Sequence, residues 1–451
     1  MKVEPFICST FLVLSFTTLA YVFEISKKRR RRKQKAEQSI LKVCSLKQRD
    51  IERYGRQIVL PGFGVPGQKQ LKESSILVVG AGGLGSTILP LLAGSGIKKI
   101  GIVDADIVDI SNIHRQVIHY TRDQGRLKVE SAREKLKLLN PSLIVECYVE
   151  MLNISNVEKI MRPYDVIIDA TDNLEARYLI NDSCYLMKKP LISGAAQGME
   201  GQISVYVGDE SGCYRCSFPK PPPQSQRMNC TDDGVLGPLP AIIGGLQALE
   251  AIKICSSTFE SLKDHLVQFD GTDSSLVRLR RSKRSTCELC GINPSIKNLN
   301  DTENWLRHNH LLHQSLSCTT NLINSPQQLF KEISSVEYHT KFVQAKIDHL
   351  LIDVREAVQV EICSLKGSIN LPLKHLRKKI VTVREHALQT HADRSQQWND
   401  FKPIVVYCRR GIDSISAASI LTEEFGFSSV YHLRGGLTEW ARLVEGRKPV
   451  Y

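Results

Sequence analysis

The first ordered pattern along the chain is an unbroken apolar run, Ile76-Leu77-Val78-Val79. A short run rich in β-branched residues predicts a strand buried on both faces of a parallel sheet. Gly80-Ala81-Gly82-Gly83-Leu84-Gly85 follows, and the apolar-rich residues 86–93 predict a helix. Residues 99–103 predict a second strand, ending at Asp104-Ala105-Asp106. Strand, glycine turn, helix, strand and acid make the nucleotide-binding βαβ pattern. The glycines permit a tight turn and bring backbone N–H groups close to phosphate. The helix N-terminus adds partial positive charge. The acid, about 20 residues on, can accept from a ribose hydroxyl. Taken alone, this pattern fits NAD, FAD, S-adenosylmethionine or ATP.

The alternation continues downstream. Residues 128–139 have helical spacing and stop at Asn140-Pro141. Residues 143–149 and 165–169 predict strands, the second ending in Ala170-Thr171-Asp172-Asn173. In an open α/β sheet that carboxyl edge is where ligands bind. Residues 190–193 and 202–207 continue the sheet, and 235–254 predict a long buried helix in spite of Pro238 and Pro240. Residues 292–325 are polar, His- and Asn-rich and without periodicity, which predicts a linker. A second α/β pattern then begins. Residues 349–354, 367–371, 404–407 and 430–433 predict strands, and 414–424 a helix. The chain thus divides into an N-terminal extension (1–47), an α/β domain (48–291), the linker (292–325) and a smaller α/β domain (326–451).

Composition adds three constraints. A length of 451 residues, 42% hydrophobic and 24% charged, suits two globular domains. Of the net charge of +13, eight units lie in the single run 27–35. The body is therefore only mildly basic, and direct nucleic-acid binding is not expected. That run follows an apolar stretch, residues 6–23, at the short end of what spans a bilayer. It reads as a membrane anchor with the body in the cytosol, or as an extension of no structural weight. The 13 cysteines, scattered over a long chain, exclude a small secreted disulfide framework.

Six cysteines draw attention. Cys213/Cys216 and Cys287/Cys290 are two Cys-x-x-Cys pairs, the ligand count and spacing of tetrahedral Zn²⁺. Redox pairs are the alternative. Cys230 stands in a Gly- and Asp-rich loop ahead of a helix, where a helix N-terminus lowers a thiol pKa. Cys408, in Tyr407-Cys408-Arg409-Arg410-Gly411-Ile412-Asp413-Ser414, lies between a strand and a helix. Such a loop wraps backbone N–H groups and arginines around one sulfur, a field that favours a thiolate or persulfide anion. A phosphatase Cys-x5-Arg loop would carry arginine at position 414, and Ser414 there favours sulfur transfer.

These residues resemble two families. Arg53-Tyr54-x-Arg56-Gln57, the glycine turn, Asp104-x-Asp106, Ser111-Asn112-x-x-Arg115-Gln116, Asp172-Asn173, the cysteine pairs and Asn229-Cys230 resemble the ThiF/MoeB superfamily of ubiquitin-activating-like adenylyltransferases. Cys408-Arg409-x-Gly411-x-Asp413-Ser414, with Asp353-Val354-Arg355 and Gly435-Gly436, resembles a rhodanese domain. Joined in this order, they resemble the eukaryotic adenylyltransferase–sulfurtransferases of molybdenum cofactor synthesis and tRNA wobble-uridine thiolation. The fold implied is a Rossmann-like adenylation domain with structural zinc, then an α/β rhodanese domain.

The resemblance also implies roles. Gly80, Gly82 and Gly83 line the phosphates of ATP·Mg²⁺, and Asp104 contacts the ribose. Ser111, Asn112, Ile113, His114, Arg115 and Lys128 reach the triphosphate. Asp172 and Asn173 lie at the metal and adenine side, and Arg56 crosses from the other subunit of a homodimer. A ubiquitin-fold sulfur carrier presents its C-terminal Gly-Gly carboxylate for adenylation. Two such carriers are implied, the molybdopterin synthase small subunit and the ubiquitin-related modifier. Cys408, flanked by Arg409 and Asp413, receives persulfide sulfur from a cysteine desulfurase and hands it on. Cys230 then resolves the intermediate or forms a thioester. Ile412 and Asp233 depart from the family loops, where Asn and Gly are frequent. The competing readings are an NAD-dependent Rossmann oxidoreductase, which leaves Cys408, Arg115 and both cysteine pairs without roles, and a non-catalytic adaptor of the same fold.

Overall fold

A computed structural model describes residues 24–30, 45–208, 211–222, 234–311, 330–388 and 402–447. It divides into two compact units, the first extending to Leu311.

The first unit is built on one eight-stranded sheet. Its strands are β1 (Ser75–Val79), β2 (Lys99–Val103), β3 (Ile144–Tyr148), β4 (Val166–Asp169), β5 (Leu191–Gln197), β6 (Glu200–Tyr206), β7 (His265–Asp270) and β8 (Ser275–Arg280). Their order is β3-β2-β1-β4-β5-β6-β7-β8. The first five strands in that order run parallel, and β6, β7 and β8 complete the sheet by antiparallel pairing. Ile76, Leu77, Val78 and all of β4 are buried, which is why both read as continuous apolar runs. Chain order reverses between β1 and β4, so the crevice beyond their carboxyl ends is the topological switch point of the sheet. Gly80 leaves β1 there with φ +102°, and a Cβ on it would stand 2.6 Å from the Ala170 carbonyl oxygen. Only glycine fits that approach.

The Pro238–Ser256 helix packs along the Gly83–Ser95 helix, and Gly244 sets how close they come. A Cβ there would lie 2.7 Å from the Leu84 carbonyl oxygen. Pro238 and Pro240 fall in the first turn, where the missing N–H groups would have had no helical partner. This is also the one described helix long and apolar enough to cross a membrane. Half of its apolar window is buried inside the unit. The apolar stretch 6–23 lies outside the described residues, and residues 24–30 are helical and exposed.

The second unit holds a parallel five-stranded sheet, β11-β10-β12-β13-β9. Its strands are β9 (Lys331–Ile333), β10 (Leu350–Asp353), β11 (Ile369–Asn370), β12 (Ile404–Tyr407) and β13 (Val430–Leu433). Strands β10, β12 and β13 are fully buried.

Two expectations need correction. The hairpin β7–β8 went unread, because β8 is an edge strand whose Leu276, Val277 and Leu279 face solvent and leave no inward alternation. The linker 292–325 is not linker at its start: Leu299–His308 is a helix of the first unit. Asn298 and Asp301 form a capping box, and Thr302 and Leu306 are buried. Thr302 donates to Asp182 at 3.0 Å. The polar helix is held by partners distant in sequence, which periodicity cannot register.

Candidate functional site

The glycine turn is the first site. Gly82 caps the Gly83–Ser95 helix, and the Ala81 N–H donates to Asp104 Oδ2 at 2.8 Å. Asp104 Oδ1 accepts from the Asp106 N–H, also at 2.8 Å. Burial pushes the Asp104 carboxyl above its ordinary value, against the pull of Lys128. Lys128 is buried at the start of the Lys128–Leu139 helix, and its Nζ lies 2.7 Å from Asp106 Oδ2. Asp109 holds a short helical turn, Ile110–Asn112, by accepting from the Ser111 N–H and Oγ. Arg115 is folded back onto it, donating to Asn112 Oδ1 at 2.6 Å and lying 2.8 Å from His114 Nε2. Burial, then Arg115, pushes the His114 pKa down.

A third segment closes in. A Cβ on Gly237 would lie 2.3 Å from the His114 carbonyl oxygen, and one on Gly83 would lie 3.1 Å from Pro240 and 3.7 Å from Arg115 Cγ. The glycine turn, the 111–115 segment and the start of the Pro238–Ser256 helix therefore converge. Across the crevice, Asn173 caps the Leu174–Leu186 helix by accepting from the Ala176 N–H. The exposed Asp172 precedes it. Arg177 anchors this edge through the carbonyls of Thr171 and Gly194. The structure thus brings Gly80, Gly82, Gly83, Asp104, Asn112, Ile113, His114, Arg115 and Lys128 to one edge. Arg56 lies apart from them on the exposed face of the Gln48–Ile58 helix. Backbone N–H groups and two side-chain cations at a switch point form a cradle for a polyanion. No Gly-Lys-Ser/Thr loop is present, and the cations at this edge are Lys128 and Arg115.

Sequence reasoning missed two contributors. Gly237 has a clear reason only in three dimensions. His119 is buried under the glycine turn between Ala81 and Ser131.

The four cysteines of the two pairs meet. Cys213, Cys216, Cys287 and Cys290 are buried, free of disulfides, and have all Sγ atoms within 4.8 Å of one another. Cys213 and Cys287 approach to 3.6 Å, and Cys216 and Cys290 to 3.3 Å. Tetrahedral Zn–S bonds of about 2.3 Å put sulfurs about 3.8 Å apart, so the cluster fits a zinc ion. Arg215, between the first pair, is buried and bidentate to Asp182, and Trp305 covers it at 3.8 Å.

Cys230 lies outside the described residues, as do its neighbours 223–233. The Gly234 carbonyl accepts from the Gly198 N–H, tying that segment's end to the β5–β6 hairpin.

In the second unit Cys408 follows β12. Its sulfur accepts from the Gly411 N–H at 3.1 Å and faces the amides of Arg410 and Ser414. Gly411, at φ +86°, and Gly436, at φ +54°, allow two loops to touch, and a Cβ on Gly436 would meet the Cys408 carbonyl oxygen at 2.2 Å. The fully buried pair Asp353–Arg355 braces the adjacent strand end. One expectation is overturned in part. The amides surround the sulfur, but Arg410 and Asp413 are exposed and Cys408 is only 2% accessible. Burial, then the Asp413 charge, pushes the thiol above its ordinary value. A shallow cleft, lined by Cys363, Arg409, Leu437, Thr438, Trp440 and Arg447 among others, lies beside the loop.

Comparison with known proteins follows this geometry. The ThiF family matches residues 54–289, and the rhodanese-like domain matches 336–443. The chain is 42% identical over 409 residues to the adenylyltransferase and sulfurtransferase MOCS3 of Drosophila willistoni, covering 89% of this chain and 85% of that protein. It is 40% identical over 405 residues to the protein of the same name from Arabidopsis thaliana, with coverage of 89% and 85%. A crystal structure of E. coli MccB with succinimide aligns at TM-score 0.49 and 20% identity, over 55% of this chain and 75% of that one. The oxidoreductase and adaptor readings fall with these matches. The chain belongs to the ThiF family and, with its rhodanese-like domain, to the bifunctional adenylyltransferase and sulfurtransferase enzymes named MOCS3.

Proposed function

We propose that the first unit adenylates the C-terminal Gly-Gly carboxylate of a ubiquitin-like sulfur carrier, and that Cys408 supplies the sulfur that makes it a thiocarboxylate. The observation that carries this reading is the pairing, in one chain, of a cationic glycine-turn cradle with an amide-lined cysteine loop.

In this reading Gly80, Gly82 and Gly83 seat the phosphates of ATP, Asp104 the ribose, and Lys128 and Arg115 the charge that builds on pyrophosphate. Ser111, Asn112, Ile113 and His114 shape the same wall. Asp172 and Asn173 would hold Mg²⁺, whose charge would offset that of the phosphates. Arg56, exposed on its helix, reaches the cradle of a second copy in a homodimer. The carrier carboxylate attacks the α-phosphorus, pyrophosphate leaves, and the acyl group becomes an activated mixed anhydride. The terminal sulfur of the Cys408 persulfide then attacks the acyl carbon and AMP departs. The loop amides at Gly411, Arg410 and Ser414 hold the negative charge on that sulfur. Cys230 resolves the acyl disulfide, with an external thiol as reductant, or carries the acyl group as a thioester. The four-cysteine cluster holds Zn²⁺ and ties two distant loops of the first unit together.

The carriers we propose are the molybdopterin synthase small subunit and the ubiquitin-related modifier, serving molybdopterin synthesis and tRNA wobble-uridine 2-thiolation. A cysteine desulfurase loads Cys408. Free thiols among the described residues support a body in the cytosol, and the apolar stretch 6–23 supports an N-terminal membrane anchor for it. The test is the mass of a Gly-Gly-ended carrier after incubation with ATP, Mg²⁺ and a persulfide donor. An oxygen-to-sulfur gain that requires ATP is expected. A carrier of unchanged mass, with ATP consumed, would leave this chain an adenylyltransferase alone.

A further inference from the structure

We propose that His119 is a positioning residue for the nucleotide, latching the glycine turn to the Lys128–Leu139 helix through its two ring nitrogens. The inference rests on the nucleotide pocket proposed above.

His119 is 1% accessible, and Ser131 and Ala81 are wholly buried. Its Nε2 lies 3.1 Å from the Ala81 carbonyl oxygen and its Nδ1 2.9 Å from Ser131 Oγ. A carbonyl oxygen only accepts, so Nε2 carries the proton and donates to Ala81. In the neutral ring Nδ1 then accepts from the Ser131 hydroxyl. Burial, reinforced by Lys128 and Lys135, pushes the His119 pKa down against Ala81 and Asp123, which keeps the ring neutral.

What this bond joins gives it consequence. Ala81 sits in the glycine turn and donates its own N–H to Asp104. Ser131 lies one turn beyond Lys128, the cation paired with Asp106. His119 itself ends two successive backbone turns that begin at Asn112: the Gln116 N–H donates to the Asn112 carbonyl at 3.0 Å, and the His119 N–H to the Gln116 carbonyl at 2.9 Å. One imidazole therefore fixes the phosphate turn, the Arg115 segment and the Lys128 helix relative to one another. Gln116 supports the same junction. Its side chain is 5% accessible and stands 3.7 Å from where a Gly82 Cβ would be. Its Oε1 has no protein partner among the described residues, so the wall retains an acceptor for a bound group.

The experiment uses the full chain and measures the affinity of α,β-methylene-ATP with Mg²⁺, alongside the melting curve. His119→Phe keeps ring volume and loses both hydrogen bonds, and is expected to weaken binding about tenfold or more. His119→Gln offers an N–H to Ala81 and is expected to recover binding to within about threefold of the parent. Ser131→Ala removes one partner and is expected to cost about threefold. Undiminished affinity in His119→Phe, or a glutamine variant as weak as the phenylalanine one, overturns the latch. If His119→Phe does not fold, Ser131→Ala decides: loss supports the latch and unchanged affinity overturns it. Lys128→Ala separates the two readings. Unchanged affinity there removes the nucleotide pocket itself, whereas weakening there with none at His119 removes only the latch.

Discussion

The two units each end a buried parallel strand in a loop that leads into a helix, and in the function proposed above each loop cradles an anion by a different means. At Gly80–Gly83 the backbone supplies shape, while full charges on Lys128 and Arg115 converge from separate segments. At Cys408 backbone amides meet the sulfur, and Arg410 and Asp413 are exposed. The difference follows from the size of the charge. A triphosphate with departing pyrophosphate needs mobile cations and room. A single sulfur is served by amide dipoles at about 3 Å, which a buried loop holds without reorganisation. The same burial that shields the sulfur also pushes the free thiol up, so in the reading proposed above the amides serve the persulfide more than the resting cysteine.

The sharpest way to break this comparison is to remove the sulfur. Cys408→Ala should abolish thiocarboxylate formation, a loss of at least about 10³-fold, while carrier-dependent pyrophosphate exchange stays within about twofold. Exchange falling in parallel would show that the heads are not separable. Next, Gly85→Ala would drive a methyl to 2.1 Å from the Gly80 carbonyl oxygen and deform the turn. Exchange should drop roughly a hundredfold, the scale of a 1 Å misplacement, with thiosulfate-to-cyanide sulfur transfer by the second unit retained. Equal loss of both would mean that the cradle acts through global stability. The smallest effect concerns pH. Because burial and Asp413 hold the Cys408 thiol above the ordinary value of about 8.5, its alkylation should be slower than that of glutathione at pH 7.5. The rate should climb steadily as pH rises beyond 9. In Asp413→Asn the climb should begin at lower pH, with rates a few-fold higher, because a repelling charge is gone. An alkylation rate at pH 7.5 matching glutathione would show that the amide field outweighs burial even in the thiol.

Much of this was visible in one dimension. Strands β2 and β12 and the Lys128–Leu139 helix fall on the residues their patterns indicate, because each is apolar on the faces it buries. The cysteine pairs announced a shared centre by spacing alone. What escaped depends on contacts between distant segments. His119 looks like any surface histidine until Ala81 and Ser131 close around it. Nothing local marks Gly237 as the point where a helix start meets the His114 carbonyl. The upward push on the Cys408 thiol comes from burial by the whole second core, whereas its loop motif suggested only the favourable dipoles.

The Arg215 guanidinium, packed against the touching rings of Tyr178 and Trp305 and paired with Asp182, bears on how the molecule can be cut. Scissors placed after Gly291, where the last cysteine pair finishes, would strip away Thr302 and Trp305. The fragment would then expose the Arg215–Asp182 pair, short of one hydroxyl donor, and a bare Tyr178 face to water. Anyone isolating the adenylating half would do better to let the polypeptide run through Leu311, keeping its own lid over that charge.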